Sequence, residues 1–375
     1  MDFELTEEQE LLRDTTREVL SRNYDAEKRN KVTATELGWS RDVWGKLAEI
    51  GLLGLSFSEE DGGMGAGPIE TMTVLQEVGR RLAPEPLLDA VLLPGGLVAA
   101  AGSADQRAKL LGEVAEGRTL LAFAHAEPGT RWPSTEVATT AAQQGDSWSL
   151  SGRKNPVLRG DCADTLVVSA TLPDGGVGLF LVDPSAAGVT RRTYATHDGL
   201  RGAQLEFDNA AAEPLGDAVD ASAHIQAAII GAQAALGAEA VGAMEEALRL
   251  TTEYLKARKQ FGVPLSKFQT LTQRAADMYV SLELARSMSL YANMSLADGT
   301  VDPIIASRAK LQIGRSARHI GQEAIQLHGG IGMTAEYPVG HYVSRLTAIE
   351  HTWGGSDDHV RVLSAQIGDY KMVEL

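Results

Sequence analysis

From Ala221 onward, apolar residues recur at helical spacing with few interruptions, and this long helical tail most constrains the fold. It divides into residues 221–257, 265–297 and 303–327, with a fourth helix after Pro338. Long helices joined by short connections pack antiparallel, so the tail predicts a bundle. Its first stretch is rich in alanine, but His224, Gln226, Gln233 and Glu239 interrupt it. That fits a buried helix better than a membrane span.

Two other patterns precede the tail. Thr6 is placed to cap a helix whose first turn carries Glu7 and Glu8, where the helix dipole favours acids. Leu11, Leu12, Val19 and Leu20 continue it, and residues 41–50, 69–81 and 104–116 read as further helices. Near Thr119 the pattern changes to short β-prone runs at 120–126, 148–151, 165–170, 177–182 and 203–207. Gly145-Asp146, Pro173-Asp174-Gly175-Gly176 and Asp198-Gly199 separate them as turns. The expected class is α+β: an N-terminal helical domain (1–118), a middle antiparallel β domain (119–217) and a C-terminal four-helix bundle (218–375).

Composition narrows the function. The formal net charge of −16 argues against nucleic acid or an anionic membrane as partner. A phosphorylated small molecule remains compatible, because it needs only a local cluster of donors. Cys162 is the single cysteine, so neither a disulfide framework nor a cysteine-based metal site forms within one chain. The acidic, amphipathic start does not resemble a secretory leader, which makes the cytoplasm the expected location.

Two motifs carry the chemistry. The first is Arg258-Lys259-Gln260-Phe261-Gly262-Val263-Pro264, where Gly262 and Pro264 break one long helix from the next. The second is Gln326-Leu327-His328-Gly329-Gly330-Ile331-Gly332. Its glycines let backbone N–H groups approach a ligand closely. Read singly, each is equally an ordinary helix terminus, with His328 a packed or hydrogen-bonded histidine.

Together, following a β middle segment, the two motifs resemble the acyl-CoA dehydrogenase family over nearly the whole chain. Ser58-Glu59-Glu60-Asp61-Gly62-Gly63-Met64-Gly65, Ala126-Glu127-Pro128-Gly129, Gly199-Leu200-Arg201-Gly202 and Pro214-Leu215-Gly216 add to the likeness. The resemblance implies FAD as cofactor, an acyl-CoA thioester as substrate and an electron-transfer protein as acceptor. It also implies that each FAD lies across a subunit interface. Arg258 would pair with the FAD pyrophosphate, where a guanidinium fork suits two oxygens. Phe261 would pack nearby, Gln269 would add a contact, and Gln326, Gly329 and Gly330 would line the adenosine end.

The chain departs from the family where its own flavin and substrate would sit. The usual seat of the catalytic glutamate holds Trp353, whose indole N–H is a donor only. The minority seat, on the first bundle helix, holds Ala232. The family's Thr-Glu-Pro-Gly-x-Gly-Ser-Asp segment reads Ala126-Glu127-Pro128-Gly129-Thr130-Arg131-Trp132, and its flavin-packing Trp-Ile-Thr reads Pro156-Val157-Leu158. The pattern resembles the base-lacking subunit of actinobacterial α2β2 steroid side-chain acyl-CoA dehydrogenases. A homologous partner would then carry the glutamate. Two alternatives stay open: a homomeric enzyme with its base displaced to Glu350 or Glu239, and a flavin-free structural or regulatory binding protein.

Overall fold

The computed structural model describes residues 4–130, 132 and 137–369; Arg131 lies outside them. Helix α1 (Glu7–Asn23) begins with a capping box, the Thr6 hydroxyl accepting from the Gln9 N–H while the Gln9 side chain accepts from the Thr6 N–H. Next come α2 (Ala26–Thr33), α3 (Arg41–Glu49) capped by Ser40, and α4 (Pro68–Arg81). A π-helical turn at Leu88–Leu92 runs into α5 (Leu93–Ala101), and Ser103 caps α6 (Ala104–Ala115). Pro94 sits in the first turn of α5, where a missing N–H is tolerated.

The strands are β1 (Leu121–Ala124), β2 (Thr140–Gln144), β3 (Ser147–Leu158), β4 (Thr165–Thr171), β5 (Val177–Val182), β6 (Val189–Ala195) and β7 (Arg201–Pro214). The path runs β1-β4-β2-β3-β7-β5, and a β4–β5 pairing closes it on itself. Pairings are antiparallel except β1–β4 and the single β2–β4 bridge, which are parallel. Inside lie Leu150, Val157, Leu166, Val168, Phe180 and Leu205. Strands β2 and β6 fall outside the β-prone runs of the sequence. Both are mostly exposed and polar, so neither shows apolar alternation.

The tail forms α7 (Ser222–Ala257), a small hairpin of β8 (Lys259–Gln260) and β9 (Val263–Pro264), α8 (Gln269–Ala297), α9 (Pro303–His328), α10 (Val339–His351) and a further short helix, α11 (Ser356–Ala365). Helix α7 is long and apolar enough to cross a membrane by length and composition, yet 83% of its most apolar window is buried.

The chain gathers into two compact units. One comprises the chain up to Asn30, Pro68–Ala83 and the chain from Gln233; the other comprises Lys31–Gly67 and Pro84–Ala232. In the first, α8, α10 and α11 all pack on α9, and α1 packs on α4. Helices α4 and α7 touch backbone to backbone. A Cβ on Gly79 would lie 1.9 Å from the Glu239 carbonyl, and one on Gly242 1.9 Å from that of Gln76. Only glycine allows that approach, and it sets the rotation of α7.

In the second unit, α3, α5 and α6 accompany the sheet, and buried polar contacts tie loops to it. The Arg159 guanidinium, 2% exposed, donates to the Pro84 carbonyl at 2.6 Å. Arg201 donates to the carbonyls of Thr33 and Thr35.

Candidate functional site

In the first unit, α7 stops at Ala257 and the chain reverses through Phe261-Gly262, with φ of 53° and 83°. Positive φ at both central residues is what a two-residue I′-type hairpin turn requires. The hairpin lifts Phe261 to 89% exposure, with its ring edge-on to Phe268 at 6.2 Å. Phe268 immediately precedes Gln269, the first residue of α8, so Gln269 starts beside the hairpin. Arg258 is exposed, and among the described residues it has no ion-pair partner.

Gln326 is exposed in the last turn of α9, and Gly329 ends the helix with φ 65°. Gly330 follows in a short 3₁₀ turn with open space where a Cβ would stand. The ends of α7 and α9 meet through aromatic rings: Tyr254, one turn before Arg258, lies 4.6 Å from the His328 ring. All six residues expected to hold cofactor are therefore exposed on one unit, on two loops whose roots touch. An exposed guanidinium, two exposed amides and an unobstructed glycine turn fit a polyanionic dinucleotide. Tyr254 was not among the residues expected at this site; its one-turn spacing before Arg258 is the only signal the sequence holds for it.

Trp353, which the resemblance led us to expect at the base position, adopts φ 55°. The buried Gln233 amide donates to its carbonyl at 2.8 Å, and the buried His359 ring faces the carbonyls of Trp353 and Gly354. The Trp353 indole N–H itself is a donor only.

The displaced candidates are engaged elsewhere. Glu239 receives the Arg345 guanidinium in a two-point grip at 2.6 and 2.8 Å. Glu350 is 6% exposed. Its Oε1 accepts from the Ser356 N–H at 3.0 Å and from Arg318 at 3.4 Å, and its Oε2 lies 3.1 Å from His351. Burial pushes the Glu350 carboxyl up, but Ser356 bonding and the nearby charges of His351 and Arg318 hold it below the usual range. A base needs the opposite shift. Lys310, buried beside this turn, donates to the Ile349 carbonyl at 2.6 Å. Burial lowers it to about 7, with Arg345 adding to the fall and Glu350 opposing it. No pattern in the sequence announces it.

In the second unit, Glu127 faces inward. It accepts from the Ala138 and Thr139 N–H groups, the Thr139 hydroxyl and, at 2.7 Å, Lys154. Burial opposes ionisation of Glu127, but the Lys154 and Thr139 bonds win and hold it at about 2. Lys154 is fully buried and also donates to the His125 carbonyl and the Ser169 hydroxyl. The pair pins the strand end at residues 126–129. Val157 is buried in the sheet, and Leu158 pairs with Gly202. Burial drives the Cys162 thiol up to about 11, which leaves it inert as a nucleophile.

Three family models match the chain: acyl-CoA dehydrogenase N-terminal domain over residues 6–118, middle domain over 122–210 and C-terminal domain over 224–367. Acyl-CoA dehydrogenase FadE28 of Mycobacterium tuberculosis is 31% identical over 370 residues, covering 98% of this chain and 99% of that protein. The solved steroid ACAD Tcur3481-Tcur3483 superposes with a TM-score of 0.89 at 33% identity, covering 97% of this chain and 98% of that one. The ChsE4-ChsE5 complex from Mycobacterium tuberculosis gives 0.90 at 26% identity, covering 99% and 100%. The two exposed loops, the closed sheet between helical segments and these end-to-end likenesses agree that the chain belongs to the acyl-CoA dehydrogenase family, whose members are FAD-dependent flavoproteins acting on acyl-CoA CH–CH bonds.

Proposed function

We propose that this chain is the base-lacking subunit of a heteromeric, cytoplasmic acyl-CoA dehydrogenase, arranged α2β2 with a homologous partner that carries the catalytic glutamate. The carrying observation is the state of the carboxylates: neither Trp353 nor Ala232 supplies one, Glu239 is held in a buried ion pair with Arg345, and Glu350 accepts from the Ser356 N–H. The reading also draws support from the two solved steroid ACAD and ChsE4-ChsE5 relatives, each named for a pair of components. A bulky steroid-type acyl-CoA is the proposed substrate and an electron-transfer protein the proposed acceptor.

In this reading the chain's work is binding and orientation. FAD, when bound, supplies the acceptor for the two electrons that leave the substrate's CH–CH bond. Arg258 neutralises the pyrophosphate, and Phe261 covers it from the hairpin tip. Gln269 adds an amide contact beside the hairpin. Gln326, Gly329 and Gly330 would receive the adenosine end through an amide side chain and a glycine turn with open space around it. The partner's carboxylate removes the α-proton.

Flavin content tests this. The chain purified alone should carry little visible flavin absorbance. Co-expression with a homologous partner should restore about one FAD per two chains, and Arg258→Ala should strip it. One tight FAD per chain, with acyl-CoA oxidised by the lone protein, would overturn the subunit reading. Flavin absent from the complex as well would point to the flavin-free alternative.

A further inference from the structure

Tyr254, His328 and Tyr337 form a closed triangle of rings in the first unit. Centroids are 4.6 Å apart for Tyr254–His328, 4.9 Å for His328–Tyr337 and 6.3 Å for Tyr254–Tyr337. Each vertex sits on a different segment. Tyr254 lies in the last turn of α7, and the Arg258 N–H donates to its carbonyl at 2.8 Å. His328 ends α9 between Gln326 and Gly329. Tyr337 lies just ahead of α10.

The hydrogen bonds fix the tautomer of the neutral histidine. Its Nδ1 is 2.7 Å from the Ala324 carbonyl. A carbonyl only accepts, so Nδ1 carries the proton. Nε2 is then the acceptor, and the Tyr337 hydroxyl, 3.2 Å away, donates to it. The ring is satisfied at both nitrogens and 3% exposed.

We propose that His328 is a positioning residue for the FAD grip: stacked on Tyr254 and bonded to Tyr337, it fixes the Arg258 hairpin and the Gln326–Gly330 turn at the spacing one cofactor demands. The proposal rests on the FAD-binding role given to these loops under the proposed function. Its physical reason is that two loops must meet two ends of one ligand at once. Neither loop is held at its tip, since Phe261 is 89% exposed and Gly330 has no side chain to pack. The spacing must be set at the roots, and the roots meet at this triangle. Errors of about 1 Å in such placement cost roughly 10- to 100-fold.

The neutral ring also makes the grip sensitive to acid. A proton on Nε2 would bury a cation against two phenols and the Ala324 carbonyl. Arg249 and Glu253 act on the neighbouring Tyr337, and Arg249 pairs with both Glu253, at 2.6 Å, and Glu246. Burial accordingly holds His328 below its ordinary range. Because neutral His328 belongs to the gripping state, FAD should be released as pH falls through that lowered value.

The test uses the co-expressed, FAD-loaded complex, with FAD affinity measured by flavin fluorescence after reconstitution. Arg258→Ala tests the underlying FAD-binding role. Tyr337→Phe removes one oxygen, and His328→Asn keeps a donor towards Ala324 but loses the stack and Nε2. We expect FAD affinity to drop about 10-fold or more in His328→Asn and a few-fold in Tyr337→Phe, with the acyl-CoA KM unchanged. Wild-type FAD retention should fall only as pH drops below the ordinary histidine value of 6.5, and His328→Asn should lose that dependence. Unchanged affinity in both variants while Arg258→Ala sheds flavin overturns the positioning role, and so does an identical pH curve for wild type and His328→Asn. If Arg258→Ala itself holds FAD normally, the FAD-binding role of the loops has failed instead. Should His328→Asn not fold, Tyr337→Phe and the wild-type pH curve still decide the matter.

Discussion

The side-chain amide of Gln233 donates to the carbonyl of Trp353 at 2.8 Å. The bond fastens α7 to the turn after α10, where the family's base would stand, and it uses a residue that is 3% exposed. Gln233→Leu would remove one buried donor from that carbonyl. We expect a loss of about 1–3 kcal/mol in the chain's stability, read from urea unfolding. Turnover per bound flavin in the complex should not change, because the turn carries no reacting group. A proportionate loss of turnover would mean that it does.

Glu239 and Arg345 separate a structural carboxylate from a hidden base. Their side chains are 6% and 12% exposed. Glu239→Gln leaves a buried guanidinium without its anion, which costs roughly 3–5 kcal/mol. The melting temperature should fall markedly, while the folded complex keeps its turnover. Full stability with abolished turnover would instead mark Glu239 as the base.

Lys310 predicts a pH dependence. Burial holds it at about 7, against an ordinary value of 10.5. Between those values the folded chain carries a neutral amine and the unfolded chain a charged one. The unfolded state then binds more protons, so the chain gains stability from this group as pH rises from about 7 to 10.5, loses it as pH falls back over that range, and shows no further change from it below about 7. Its share of the slope is at most roughly 1.4 kcal/mol per pH unit. Lys310→Met should remove that share, as urea midpoints across the range would reveal. An unchanged slope would show that the amine stays charged in the fold.

Phe261 sits at φ 53° and is almost wholly exposed. A left-handed non-glycine residue costs roughly 1–2 kcal/mol, so Phe261→Gly should leave the isolated chain as stable as before or slightly more so. Assembly with the flavin-bearing partner should weaken, because the ring's apolar surface finds no cover within the chain. Sedimentation at graded concentrations would show it; unchanged assembly would leave the exposed ring without that role.

Much of this molecule is written in short stretches of its sequence. The Thr6 cap, the helical tail and the break at Gly262-Val263-Pro264 follow from local chemistry, because a cap, a helical period and a glycine–proline stop act within a few residues. The Arg258 and Gln326 loops are legible for the same reason: their residue types sit at fixed offsets from helix ends. Strands β2 and β6 are not, since exposed polar strands pair through backbone and leave no apolar rhythm. The ion pair of Glu127 with Lys154, the burial of Lys310 and the triangle of Tyr254, His328 and Tyr337 are equally silent. Each joins residues far apart in the chain, and burial and hydrogen bonding exist only once the segments meet. The sequence alone determined the family, the helical and β segments and the absence of a carboxylate at Trp353 and Ala232. Only the tertiary structure decided that Glu239 and Glu350 are already paired, because whether a carboxylate is a free base or half of an ion pair depends on what folds against it.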